Sequence, residues 1–315
     1  MLRKLQSLCF CLVFLTISSF TYSQDTDKPE PENDSIPTTW ELLKYDGASA
    51  FGGIKNTYSS PLRWQKDDFI TAGAIVAGTA ALYIFDEETS EYFMDQGEDV
   101  PEVVKDFGWY FGSPQNNYGV TGAVYLVGLF TKNEKIRQTG VLMISAATAS
   151  GIIQSISKTI VGRARPTGGE GKGSFDPFSS EGKYHSFPSG HTILSFTTLY
   201  ALSKQFDNPF VKAGLIGVGM VSPVSRLWSG AHWLTDVGLS LAISVAVVDS
   251  IDHNIRIRTY ELRQSLLKGM DLGFELGQGD RRCWGGLCGP HGWDGGIGRW
   301  IDRPVEGRSQ YCGQN

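Results

Sequence analysis

Three short strings hold the side chains of this chain that could do chemistry. They are Lys158 with Arg165-Pro166, then Pro188-Ser189-Gly190-His191, then Ser225-Arg226 with His232 and Asp236. A phosphate monoester is a dianion whose peripheral oxygens need fixed donors. Arginine supplies them as a planar fork that a lysine ammonium does not reproduce. Lys158 and Arg165 are seven residues apart, nearly two helical turns, so both can point from one face. Pro166 tends to end that helix and to hold Arg165 extended. Arg226 adds a second fork. Ser189 and Gly190 offer backbone N–H groups at the start of a following helix, and Gly190, without a Cβ, lets the backbone approach an anion closely.

The two imidazoles divide the remaining work. His232 and Asp236 are spaced i, i+4 and can face each other across one helical turn. A carboxylate accepting the Nδ1–H leaves Nε2 as an aimed nucleophile and stabilises the imidazolium that forms. His191 then protonates the departing oxygen. The scheme splits one hard hydrolysis into phosphorylation and dephosphorylation of a histidine. It calls for no metal, since Lys158, Arg165 and Arg226 supply the positive charge. Any one string alone reads as a solvated loop or a structural pair; the ordered set is far more specific. Arg163, Lys172 and Lys183 read as loop charges, His185 as a loop residue, and His253 and His291 as incidental.

Lys158-x6-Arg165-Pro166, Pro188-Ser189-Gly190-His191 and Ser225-Arg226-x5-His232-x3-Asp236 together resemble the type-2 phosphatidic acid phosphatase superfamily, with no departure at any motif position. That superfamily also holds bacterial non-specific acid phosphatases, glucose-6-phosphatases and vanadium-dependent haloperoxidases. The resemblance spans roughly residues 69 to 252. It implies His232 as nucleophile, Asp236 as its partner, His191 as acid, and a phosphate cradle of Lys158, Arg165, Arg226, Ser189 and Gly190. It also implies an all-α helical bundle of about six core helices. No cofactor is implied, except vanadate under the haloperoxidase reading.

The elements that must position these strings are legible as apolar stretches: Phe69 to Phe85, Tyr118 to Phe130, Gln138 to Ser157, His191 to Ser203, Val211 to Val221 and Leu234 to Ile251. Small residues are common in them, which suits close helix packing. The two long uncharged stretches favour a membrane-embedded bundle over a soluble one. Between the first two, Asp86 to Asp106 reads as an acidic loop. Basic residues cluster instead at Lys132, Lys135 and Arg137, at Lys204 and Lys212, and from Arg256 to Lys268. If the stretches cross a membrane, the basic loops lie inside and the catalytic loops outside.

The ends complicate this. Residues 1–23 read as a secretory signal peptide, with Met1-Leu2-Arg3-Lys4, an apolar run from Leu8 to Phe20, and Thr21 and Ser23 before Gln24; an uncleaved anchor is the alternative. Residues 24–68 form an acidic, Pro-rich linker and an N-terminal arm. Six simple spans place that arm in the cytoplasm, whereas an exported segment places it outside. Three arrangements resolve the conflict: a retained anchor with a re-entrant piece, a stretch such as Tyr118 to Phe130 that does not cross, or a bundle that crosses nothing. Residues 253–278 continue as a C-terminal helix or basic tail. Residues 279–315 form a Gly/Trp-rich tail carrying Cys283, Cys288 and Cys312, in which disorder is expected.

The net charge of −5 carries no nucleic-acid signal. The motif set, the export signal and the apolar stretches make the expected partners a membrane and a phosphorylated lipid or small phosphoester. The expected place is a bacterial inner membrane with the site facing the periplasm, or a soluble or peripheral periplasmic location. The rival functions are a soluble secreted acid phosphatase of broad specificity and a vanadate-dependent haloperoxidase.

Overall fold

The computed structural model describes residues 38–271. The expected signal peptide, most of the acidic linker, and the tail with its three cysteines and His291 lie outside the described residues.

The described chain is all-α, as the apolar pattern and the resemblance implied. Its α-helices are α1 (Thr39–Ser59), α2 (Lys66–Ile84), α3 (Asp86–Asp99), α4 (Glu102–Gly112), α5 (Pro114–Phe130), α6 (Glu134–Val161), α7 (Gly190–Ser203), α8 (Pro209–Trp228) and α9 (Leu234–Asp271). The six expected stretches became α2 and α5 to α9. The acidic stretch Asp86 to Asp106 is corrected: it is no loop but forms α3 and the first half of α4. α3 is mostly acidic and α4 is only eleven residues long, so no long apolar run betrays them. The arm also contains a helix, α1. Its Thr38 N-cap and Glu41 make a reciprocal capping box.

Local chemistry sets the boundaries of the helices that bear the site. The side chain of Asn133 caps α6 by accepting from the Ile136 N–H. At its other end Gly162 adopts φ 58°, a left-handed turn that ends the helix just past Lys158. A Cβ on Gly162 would fall 1.9 Å from the Asp176 carbonyl oxygen, so the turn is closed to other residues. Ser189 caps α7, and Asn208 with Pro209 opens α8.

The main core joins α6, α7 and α9 through Val141, Leu142, Met143, Ala201, Val248 and Ile251. A second cluster sets Phe111 of α4 against Leu199 and Leu202 of α7. At Gly112 the end of α4 runs against α7: a Cβ there would sit 2.8 Å from the His191 Cβ. The buried Asp46–Arg137 ion pair ties α1 to α6, and Arg258 of α9 donates to the Ala48 carbonyl.

Each helix that bears a site residue runs between a site end and a basic end. α6 runs from Lys135 and Arg137 to Lys158. α7 runs from His191 to Ser203, next to Lys204. α8 runs from Lys212 to Arg226, and α9 from Asp236 to Arg256 and Arg258. Among the described residues, four segments can cross a membrane by length and composition: Lys66–Ile84, Glu134–Val161, Pro209–Trp228 and Leu234–Tyr260. α2 has no buried residue at all, so its apolar side chains need a non-aqueous neighbour. α7, with 14 residues, rises only about 21 Å at 1.5 Å per residue, short of a hydrocarbon core of about 30 Å.

Candidate active site

Lys158 occupies the last turn of α6. The chain turns at Gly162 and returns Arg165 toward the bundle end. There Arg165 is held by carbonyls: Nε donates to Gly182 at 3.0 Å, and Nη1 and Nη2 donate to Ala231 and His185 at 3.4 and 3.5 Å. Its own backbone N–H donates to the Lys183 carbonyl at 2.9 Å. That loop is braced by Glu170, which accepts from Ser174, Lys183 and Tyr184 at 2.6–2.9 Å. Those three donors hold its carboxyl down to about 2. Lys183 and Lys172 are thus loop charges paired with Glu170 and Glu87. His185 hydrogen-bonds the Ser179 carbonyl in the same loop.

His191 lies in the first turn of α7. Its Nε2 is buried and has no hydrogen-bond partner. Its ring stands 4.9 Å from that of Trp109 on α4. Burial first, then the nearby charges of Arg226, His232, Lys158 and Arg165, push this imidazole down to about 3. Contacts join the three strings here: Arg165 donates to the Ala231 carbonyl next to His232, the Ser189 N–H lies 3.4 Å from the Asp236 carbonyl, and Trp109 bridges His191 and Arg226. Arg226, in the last turn of α8, is buried, lies over the Trp109 ring, and is held by Ser225 Oγ at 3.2 Å from Nε and 3.1 Å from Nη2. Gly190 opens α7, where a Cβ would press the Gln154 carboxamide at 3.3 Å.

Two expected contacts are made differently. The Ser189 N–H donates to Ser240 Oγ at 2.8 Å, so it is spent inside the protein, while Ser189 Oγ caps α7. His232 is buried, and its Nδ1 lies 2.6 Å from the Ser186 carbonyl, whereas Asp236 Oδ2 is 3.7 Å away. A carbonyl only accepts, so Nδ1 carries the proton and Nε2 keeps its lone pair. Ser186 also donates its hydroxyl to Asp236 Oδ2 at 2.5 Å, which links the pair indirectly. Burial, with Lys158 and Arg165 nearby, pushes the His232 imidazole down to about 4 against the pull of Asp236.

Sequence reading missed four residues here. Arg163, assigned to the loop charges, is buried and paired with both Asp86 and Asp236 at 2.6 and 2.7 Å. The Gly162 turn swings it inward, and its place two residues before Arg165 was the one available signal. Asp86 sat in a stretch read as loop, and Ser186 and Trp109 carried no spacing signal. Among the described residues, no group of three or more His, Cys, Asp or Glu could hold a metal ion. Behind Asp236 lies an apolar crevice of about 430 Å³ between α2, α9 and the loop before α7. Val76, Ala80, Tyr83, Phe187 and Leu239 line it, and Arg163 and Thr235 form the wall it shares with the site.

Residues 139–251 match the model of the PAP2 superfamily, and all eight expected site residues fall inside that segment. A lipid A 1-phosphatase from Rhizobium etli is 28% identical over 200 residues, covering 58% of this chain and 81% of the relative. A lipid A 1-phosphatase from Rhizobium johnstonii is 26% identical over the same length, covering 58% and 77%. Among solved structures, that of Aquifex aeolicus LpxE is 21% identical, with a TM-score of 0.39, and covers 51% of this chain and 93% of that one.

Proposed function

We propose that this chain, whose residues 139–251 match the PAP2 superfamily, removes phosphate from a membrane lipid through a phosphohistidine intermediate. The observation that carries this reading is one of contacts at one end of the bundle: Trp109 joins the His191 ring to the Arg226 guanidinium, Arg165 donates to the Ala231 carbonyl next to His232, and the Ser189 N–H lies 3.4 Å from the Asp236 carbonyl. Nε2 of His232 attacks phosphorus, and the bond to the leaving oxygen breaks on the opposite side. His191 gives that oxygen its proton. Negative charge on the three equatorial oxygens meets Lys158, Arg165, Arg226 and the N-terminus of α7 at Gly190. Water then attacks the phosphohistidine, with His191 taking its proton. Asp236 and Ser186 steady the imidazolium that carries the phosphoryl group. The cations supply the charge, so the reaction is proposed to proceed without a metal or organic cofactor.

Four apolar helices fit a membrane protein. A site at the end of such helices favours a substrate held in the membrane, a lipid phosphate over a soluble ester. The names of the relatives make the 1-phosphate of lipid A the first substrate to try, ahead of phosphatidate, phosphatidylglycerol phosphate and polyprenyl diphosphates. The opposition of basic and catalytic helix ends supports a site on the periplasmic face.

The test is a substrate panel on the purified protein in detergent. Release of phosphate from lipid phosphates in clear preference to soluble esters is expected. Equal turnover of soluble phosphoesters would sink the lipid assignment, and no turnover of any phosphate would sink the phosphatase.

A further inference from the structure

Both oxygens of Asp236 are committed inside the protein. Oδ2 accepts from the Ser186 hydroxyl at 2.5 Å and the Trp233 N–H at 2.9 Å. Oδ1 accepts from Nη1 of Arg163 at 2.7 Å. The rest of Arg163 faces away from the phosphate cradle. Its Nη2 donates to Asp86 Oδ2 at 2.6 Å, its Nε donates to the Lys172 carbonyl at 3.3 Å, and its Nη1 also reaches Thr235 Oγ1 at 2.6 Å. Thr235 returns its hydroxyl and its N–H to Asp86 at 2.6 and 2.9 Å. The rings of Tyr83, Phe175 and Trp233 pack around the guanidinium. Asp86 and Asp236 are 0% exposed and Arg163 2%, so solvent screens none of these charges.

The charge balance gives the second carboxylate a purpose. A buried arginine facing Asp236 alone would neutralise it, and little negative charge would reach His232. Asp86 takes up part of that positive charge. The trio keeps a net charge of −1, available to an imidazole ring that becomes cationic when it accepts a phosphoryl group. We propose that Arg163 and Asp86 are positioning residues for the nucleophile: they fix the rotamer of Asp236 and leave its charge free to act on His232. Asp86 lies outside the matched segment 139–251, so an N-terminal part of the chain completes the site. This rests on the phosphohistidine reading above, but it concerns residues that touch neither the phosphate nor the leaving group.

The test measures phosphoenzyme formation by rapid quench on the full chain in detergent, beside inhibition by vanadate as a probe of the phosphate cradle. Asp86→Asn and Arg163→Gln should each slow formation by about 10- to 100-fold, as expected when a reacting group shifts by about 1 Å. Vanadate inhibition should stay within about threefold, because the cradle is untouched. Combining either change with Asp236→Asn should cost no more than Asp236→Asn alone, since both act through it. Multiplying losses, vanadate affinity falling in parallel, or an unchanged rate would each overturn the proposal. Should Arg163→Gln not fold, Thr235→Val carries the test: it removes one hydroxyl shared by Asp86 and Arg163, and about tenfold slower formation is expected. An unchanged rate there would also refute it. Absence of a phosphoenzyme in the unaltered protein would instead remove the reaction itself.

Discussion

The indole of Trp109 stands 4.9 Å from the imidazole of His191, tilted by 37°, and its face lies 4.8 Å from the Arg226 guanidinium. One aromatic residue of α4 thus touches both the proposed acid and one of the proposed phosphate forks. Stacking orients the guanidinium and shields the imidazole from water, and each such contact is worth about 0.5–2 kcal/mol. Trp109→Ala is expected to lower kcat/KM by roughly 10-fold, and Trp109→Phe by less, since it keeps a ring face. The indole is half exposed, so the melting temperature should change little. Steady-state kinetics beside a thermal melt would check this. A large fall in melting temperature with an unchanged kcat/KM would make Trp109 a packing residue only.

The unpartnered Nε2 of His191 is proposed to meet the leaving oxygen. Removing a general acid hurts most where the departing group is a poor one. His191→Ala should therefore cost far more on an alkyl phosphate than on an activated aryl phosphate, by about 10²-fold or more. Equal losses on both substrates would contradict the acid role.

Burial and the neighbouring cations push His191 down to about 3 and His232 down to about 4, below the ordinary histidine value. A bound dianion opposes the cations that contribute to those shifts, so binding phosphate or vanadate at pH 5–6 should take up protons. Calorimetry in two buffers of different ionisation enthalpy would read that uptake, and none would contradict the electrostatic account. The effect on stability has a defined sign. Both rings bind protons more readily in the unfolded chain. Their contribution is therefore present above about pH 6.5, the ordinary histidine value, and is lost as pH falls toward 4 and then 3. The melting temperature of the ligand-free protein should drop across that window, and vanadate should restore part of it.

The sequence showed much of the framework because its signals are local. Six apolar stretches mark α2 and α5 to α9, and the motif strings fall at their ends. What it hid depends on three-dimensional return paths. The left-handed turn at Gly162 decides that Arg163 points inward while Arg165 lines the bundle end. The segment before α7 brings the Ser186 carbonyl between His232 and its expected carboxylate partner. α3 is mostly acidic and buries only Asp86, Ser90 and Gly97, and α4 is only eleven residues long, so no long apolar run announces them. Asp86 and Trp109 belong to those two helices, which is why both escaped a reading based on spacing.

Arg165 donates to three backbone carbonyls as well as facing the site, so its fork is fixed before any anion arrives. Arg165→Lys keeps a charge but supplies neither that fixed geometry nor a bidentate contact. The expected loss in kcat/KM is about 10²-fold, or about 2.7 kcal/mol, typical of removing a preorganised donor from a transition state. Near-wild-type activity would contradict the clamp.

The orientation of the bundle is open to a direct chemical test. The turn at Thr131 and Lys132 joins α5 to α6 at the basic end, whereas Ser180 lies in the loop beside Arg165. Cysteine placed at Ser180 should react with an impermeant thiol reagent added to intact spheroplasts, while cysteine at Lys132 should react only after lysis. The Asp46–Arg137 pair and the Arg258–Ala48 contact hold α1 at the basic end. Cysteine at exposed Lys44 should therefore behave like Lys132, on the cytoplasmic side. That outcome would count against cleavage of residues 1–23 as an export signal, because export would carry α1 outward with the site. Labelling of Lys132 and Lys44 in intact spheroplasts, with Ser180 protected, would invert the proposed orientation. Labelling of all three would mean that the bundle does not cross the membrane.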